Sequence, residues 1–380
     1  MVDTIAEPLR DNSVGGAALV APSRASHIAA LTGLRAAAAA GVMLYHFREV
    51  GPSVFFQFGP FDPLIRQASV GVDVFFVLSG FVICHAYARV FATSVSVPLY
   101  RDFLRNRLAR LYPIHLATLA GMLVLFVIGL AVFRVVPNNA ASYTGRSIAH
   151  NLLLTHAWFP GVGAPNTPAW SISAEWFAYL LFPPLCCLSR KRPSWLLAAL
   201  AAVMVIAAQL LGPLHPLFRV ASEFSLGMWT CELVQRSSGT FIGWRLGALC
   251  VLVVFVLVQL TTHDPDAWLG IYAFLTACLL VCLVNDADVV GRLFRHRALV
   301  YVGEISYSIY MCHWLVWSVM KHAAHSSLPI LIRYPLLQVA IGIVMTFCLA
   351  AFAYHHIEQP GRRAIRGRRQ HASERAIEAL

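Results

Sequence analysis

The chain has 380 residues, 58% hydrophobic and 12% charged, with a formal net charge of +11 and a mean hydropathy of +0.67. Soluble domains carry about 25% charged residues, so this composition excludes an ordinary water-soluble enzyme and makes lipid the main solvent. The positive charge does not mark a nucleic-acid binder, because the arginines fall in short tracts between apolar runs, as basic loops at a bilayer do.

The first 27 residues mix both charges and lack an apolar run, which excludes a secretory leader and reads as a disordered cytoplasmic tail. Beyond them, apolar runs separated by turn residues predict ten membrane helices at 29–48, 69–88, 114–136, 170–188, 194–211, 217–235, 240–260, 267–284, 298–320 and 332–356. A crossing needs roughly 20 apolar residues, and several of these runs reach that length only with their flanks. There is no internal repeat and no long linker, so one transmembrane domain over 28–358 is expected, followed by a basic cytoplasmic tail over 359–380. The expected fold class is all-α: a polytopic transmembrane bundle of about ten helices with both termini cytoplasmic.

Orientation follows from the loops. With the first residue inside, the basic tracts at 101–110, 190–192, 292–297 and 362–369 all fall on the cytoplasmic side, where positive residues accumulate. The opposite loops are poor in basic residues. The longest, at 136–169, carries His150 and His156 on an amphipathic stretch and reads equally as a lid or as an interfacial helix. The nine cysteines lie in or beside apolar segments without zinc-ligand spacing, so they read as small buried hydrophobes rather than disulfide or metal partners.

Ionisable residues at membrane depth are costly and therefore candidates for function. Arg35 and His46 stand eleven residues apart on the first helix, which places them on one face, about 20° apart in projection and about 16 Å apart along the axis. The expected topology puts His46, Asp73, Glu175 and His313 at one level, towards the outer leaflet. Arg35, Glu304, Glu358 and the tract with Arg105, Arg107 and Arg110 come out towards the cytoplasm. Imidazoles and carboxylates suit proton transfer; guanidiniums suit phosphates.

That division predicts a donor with phosphates at one end and a thioester at the other, for which acyl-CoA fits. His46 is then the general base, oriented by Glu175 or Asp73 as carboxylates orient other catalytic imidazoles, with His313 in the same catalytic set. Arg35, Arg105, Arg107 and Arg110 are the expected donor-binding residues. No G-x-S-x-G, H-E-x-x-H, Walker or dinucleotide motif is present. No metal and no permanently bound cofactor are expected.

The same residues resemble acyltransferase family 3 of integral membrane proteins. Arg35 and His46 match its first-helix signature, and the stretch Gly71-Val-Asp-Val-Phe-Phe-Val-Leu-Ser-Gly80-Phe resembles its second-helix motif. Arg105-Asn-Arg-Leu-Ala-Arg110-Leu-Tyr-Pro113, Trp170-Ser-Ile-Ser-Ala-Glu175, and the segments 219–227, 303–314 and 357–360 are similar to its later landmarks, with Gln359 where a basic residue often precedes the proline. The resemblance implies transfer of an acyl, usually acetyl, group from acyl-CoA to a hydroxyl of a carbohydrate or related acceptor at a bacterial inner membrane. The rival reading is a proton-coupled transporter. It requires paired broken helices or repeat-related halves, and neither is visible.

Overall fold

The computed structural model describes residues 24–49, 57–134, 139–192, 195–211, 215–236, 247–261, 268–285, 289–326 and 333–367. Its helices are α1 (Arg24–Phe47), α2 (Gly71–Tyr87), α3 (Val97–Ile128), α4 (Gly145–Leu152), α5 (Trp170–Arg190), α6 (Trp195–Leu211) and α7 (His215–Arg236). They continue as α8 (Gly247–Thr261), α9 (Leu269–Asn285), α10 (Val289–Phe294), α11 (Arg297–Glu304), α12 (Ser306–Ser326), α13 (Pro335–Ala353) and α14 (Gln359–Arg366). Among the described residues there is no strand, as an all-α reading requires. Four helical segments, Ala68–Tyr87, Val97–Phe133, Thr167–Arg190 and Pro335–Arg366, are long and apolar enough to cross a bilayer. Three shorter apolar helices accompany them, at Trp195–Leu210, Gly247–Thr261 and Leu269–Val284. The chain is a multi-pass membrane protein.

Helix boundaries depart from the expected ones where charge or close crossing intervenes. α3 begins at Val97, seventeen residues before the expected start, so the basic tract is helical and Pro113 lies inside the helix. Hydropathy ends a span at charge, but here the arginines gain partners from neighbouring helices, so the backbone continues. The expected helix at 298–320 is two helices, α11 and α12, separated at Ile305. Most of the expected tails lies outside the described residues, but their inner ends are helical: α1 starts at Arg24, and α14 occupies Gln359–Arg366. α13 reaches α14 through a widened, π-helical stretch at Tyr354–Glu358. Pro360 follows it, and a proline ring in a helix clashes with the carbonyl four residues back, which a wider turn relieves.

Helix contacts are made at glycines. A Cβ at Gly80 of α2 would stand 2.1 Å from the Phe224 carbonyl oxygen of α7, and one at Gly227 of α7 would stand 2.0 Å from that of Val77. Backbone thus meets backbone, the small-residue packing expected where lipid supplies no hydrophobic drive between helices. α11 crosses α1 in the same way, with Gly303 facing the Thr32 carbonyl at 1.9 Å from a built Cβ. Around these crossings one core joins α1, α2, α3, α5, α7, α9 and α12 through Val77, Phe103, Phe182 and Phe224. A second joins α1, α12 and α13 through Met43, Phe47, Trp317 and Val339. Val127, Ile206, Leu257 and Val344 face outward, as lipid-facing residues do. All nine cysteines are free.

Gly227→Ala is expected to destabilise the bundle by at least the 1–3 kcal/mol typical of overpacking, because backbone cannot yield as a side chain can. Gly270→Ala, whose Cβ would meet only Val205 methyls at 3.5 and 3.9 Å, is expected to stay within about 0.5 kcal/mol. Thermal unfolding of the two variants in detergent compares them.

Candidate active site

A cavity of about 320 Å³ lies between α1, α2, α3, α5, α11, α12 and α14. Along α2 it runs from Val72 to Ile83, which at 1.5 Å per residue is about 16 Å. Arg107 and Arg110 of α3 line it together with Arg362 and Arg366 of α14. Arg35 lies between that cluster and Glu175. Ser171, Phe75 and Tyr310 line the cavity too, and they surround its Val72 end. Phe75 packs edge-on against the Tyr310 ring at 6.0 Å, and the Tyr310 hydroxyl meets Ser171 at 2.8 Å and donates to the Pro168 carbonyl at 2.9 Å.

Glu175 belongs to this cavity rather than to the level of His46 assigned to it from the sequence. Its Oε1 accepts from the Ser79 hydroxyl at 2.7 Å and from the Tyr179 hydroxyl at 2.5 Å. Tyr179 lies one helical turn from Glu175 on α5, so the helix itself presents the two groups together. Arg35 makes no hydrogen bond or ion pair among the described residues, and its buried Nε is without a partner. Arg107 meets the Tyr87 hydroxyl at 3.5 Å and lies over the Tyr87 ring at 5.4 Å. Arg110 donates to Glu358 at 2.6 Å. Arg105 is not in the cavity lining; it pairs with Asp102 at 3.4 Å on the half-exposed side of α3.

His46 does not line the cavity either. Its partner is His313, with His313 Nε2 at 3.1 Å from His46 Nδ1. The tautomers follow from the backbone. His46 Nδ1 faces the Val42 carbonyl at 3.0 Å and His313 Nδ1 faces the Ile309 carbonyl at 3.3 Å. Carbonyl oxygens only accept, so both rings carry their proton on Nδ1. The single His46 Nδ1 proton is thereby shared between the Val42 carbonyl and His313 Nε2, and the lone pair of His46 Nε2 is left available. The Trp314 ring stands edge-on to His46 at 5.2 Å, and the Tyr310 ring lies 5.8 Å from His313. Tyr310 thus touches both the cavity and the histidine pair.

Asp73 does not orient the imidazole, and neither does Glu175. Arg219 of α7 grips Asp73 through two hydrogen bonds of 2.9 and 2.8 Å, lies 3.6 Å from Glu223, and stacks over Trp170 at 5.7 Å. Asp73 is 1% exposed and Glu223 0%, so the guanidinium places a cation beside both buried carboxylates.

The 139–169 segment is a fixed cap. Thr144 Oγ1 accepts the Ser147 amide at 3.3 Å to start α4. His115 of α3 donates to the Asn151 carbonyl at 2.9 Å and stacks parallel to His156 at 5.8 Å, while His156 donates to the Ala169 carbonyl at 2.9 Å. Trp158 adds a bond to the Ser173 carbonyl at 2.9 Å. His150 faces Thr155 at 2.8 Å within the same cap. Between the two readings open for this loop, the hydrogen bonds favour a helix-bearing cap bolted to α3 and α5 over a lid.

Arg219→Ala is expected to lower stability by about 3–5 kcal/mol, the cost of breaking a buried pair from one side. Asp73→Ala is expected to cost less, since Arg219 then keeps Glu223. Equal losses in thermal unfolding would contradict the shared-cation arrangement.

Comparison with known proteins agrees with the resemblance seen in the motifs. A family described as an acyltransferase domain matches residues 28–355. Acyltransferase MdmB of Streptomyces mycarofaciens is 27% identical over 332 residues, covering 78% of this chain and 80% of its own. A Bacillus subtilis protein, YrhL, whose name assigns it provisionally as a peptidoglycan O-acetyltransferase, is 24% identical over 88% of this chain. A Staphylococcus aureus (strain COL) protein provisionally named O-acetyltransferase SACOL0978 is 22% identical over 89%. The chain spans 55% and 58% of the length of those two relatives. No solved structure matches it. With the family covering its helices from α1 to the end of α13, this chain belongs to the membrane-integral acyltransferases of the acyltransferase domain family.

Proposed function

We propose that the protein transfers an acyl group, in the first instance acetyl, from acyl-CoA to a hydroxyl of a carbohydrate or related glycan acceptor. The observation that carries this reading is the asymmetry of the cavity. One end gathers guanidiniums, and the other is walled by Tyr310, behind which stands a histidine pair with an available nitrogen. Phosphates of the donor would lie against Arg107 and Arg110, and its arm would run past Arg35 towards His46. Arg35, which makes no hydrogen bond or ion pair among the described residues, has donors to spare for such a ligand.

In the reaction, His46 Nε2 takes the proton of the acceptor hydroxyl as its oxygen attacks the thioester carbonyl. The C–S bond breaks, and the departing CoA thiolate receives the proton. His313, accepting from His46 Nδ1, holds the ring in the Nδ1–H form and supports the positive charge that develops on it, a part played elsewhere by a carboxylate. Glu175, held by Ser79 and Tyr179, balances Arg35 in the cavity. The ten-crossing topology with both termini cytoplasmic in a bacterial inner membrane belongs to the same proposal. It is supported by the basic tracts of α3 and α14 at the cavity's guanidinium end.

His46→Ala is expected to lower transfer from radiolabelled acetyl-CoA by about 10²–10⁴-fold while the protein still inserts; wild-type turnover in this variant would sink the base assignment. Arg107→Ala is expected to raise the KM for acetyl-CoA with little effect on that for the acceptor, read by varying each substrate in turn. Single cysteines placed in the 139–165 cap should react with an impermeant maleimide from outside intact cells. Labelling only after permeabilisation would reverse the orientation.

A further inference from the structure

α14 is a wall of the cavity, although its sequence reads as the start of a basic tail and it lies beyond the residues matched to the family. Glu358, Arg362 and Arg366 are spaced by four residues and so share one helical face. The widened turn at Tyr354–Glu358 sets that face inward, where Glu358 is fully buried. Arg363, on the opposite face, is exposed. The helix is seated firmly on α3: a Cβ at Gly361 would lie 2.7 Å from the Pro113 ring, and Gln359 donates to the Tyr354 hydroxyl at 2.6 Å.

The charges at this end do not balance. Glu358 receives Arg110 on Oε1 at 2.6 Å and the Ser308 hydroxyl on Oε2 at 2.7 Å. Arg362 stands 3.8 Å from the oxygen that Arg110 already holds. Arg107 has only a tyrosine hydroxyl and aromatic faces. Arg35, Arg107, Arg110 and Arg362 line the cavity against the carboxylates of Glu175 and Glu304, with Glu358 behind them, and Arg366 joins the same lining. Cations gathered in excess where solvent is limited are stabilised by a polyanion, and planar guanidiniums suit phosphate oxygens in pairs.

We propose that α14 is a clamp for the phosphorylated end of the donor, with Arg362 and Arg366 gripping its phosphates opposite Arg107. This rests on the acyl-CoA reading above and extends it to a segment outside the family match. The clamp acts on binding, so its loss raises the KM for a phosphorylated donor and leaves the transfer step alone.

The test compares acetyl-CoA with S-acetylpantetheine, which keeps the thioester and arm but has no phosphate, using purified full-length protein in nanodiscs. The wild type should prefer acetyl-CoA in kcat/KM by on the order of 10²-fold, as several charge-assisted phosphate contacts imply. Arg362→Gln and Arg366→Gln should each reduce that preference about tenfold through the KM for acetyl-CoA, whereas Arg363→Gln on the exposed face should keep it. Turnover of S-acetylpantetheine reports that each variant is folded. Should Arg362→Gln disturb buried Glu358 and lose all activity, Arg366→Gln, one turn further along, carries the test. An undiminished preference in Arg366→Gln would overturn the clamp. So would an equal loss on both donors that anionic lipid restores, since the arginines would then serve a lipid headgroup. A wild type indifferent between the two donors would instead overturn the acyl-CoA reading itself.

Discussion

The Arg110–Glu358 ion pair joins the parts of this protein on which its cavity depends. A carboxylate with no exposed surface cannot stay charged in a bundle interior without a cation and further donors. Glu358 has Arg110 on one oxygen and Ser308 on the other. Three segments are thereby tied at one point: α3, α12 and the widened turn between α13 and α14. The Tyr307 hydroxyl donates to the Leu111 carbonyl at 2.5 Å, and the Tyr307 ring lies under Arg110 at 5.4 Å, which fastens α12 to α3 beside the pair. The guanidinium end of the cavity is built around this knot.

The polar groups of the interior form three systems, each balanced differently. Arg219 grips Asp73 and stands beside Glu223, and it ties α2 to α7. The His46–His313 pair is neutral and is oriented entirely by helix carbonyls and by each ring's partner. The cavity lining gathers more guanidiniums than carboxylates.

Between the cavity and the histidines stands the Phe75–Tyr310 contact. Tyr310 is held by Ser171 and the Pro168 carbonyl, next to the end of the cap. The cap is itself pinned through His156 to Ala169 and through Trp158 to Ser173. The position of the aromatic wall thus depends on the cap as well as on the helices.

Composition and the order of apolar runs alone pointed to a helical membrane protein, because so little charge suits lipid as solvent and unbroken apolar runs approaching about 20 residues suit spanning helices. The motifs around Arg35, Asp73, Arg110 and Glu175 were legible for the same reason: ionisable groups stand out against an apolar background. Helical periodicity also places Tyr179 with Glu175, and Arg362 and Arg366 with Glu358, a signal present in the chain at four-residue spacing. Partnership was not legible. Asp73 and Glu175 both look fit to orient His46, yet Asp73 lies 146 residues from the arginine that holds it, and Glu175 lies 96 residues from Ser79. His313 reaches His46 across 267 residues of chain. Which residues share one face of a helix can be read from a sequence, but the depth and azimuth of one helix against another cannot. That angle is set by glycine-mediated backbone contacts such as Gly80 with Phe224 and Gly303 with Thr32, and only the packed tertiary structure decides it.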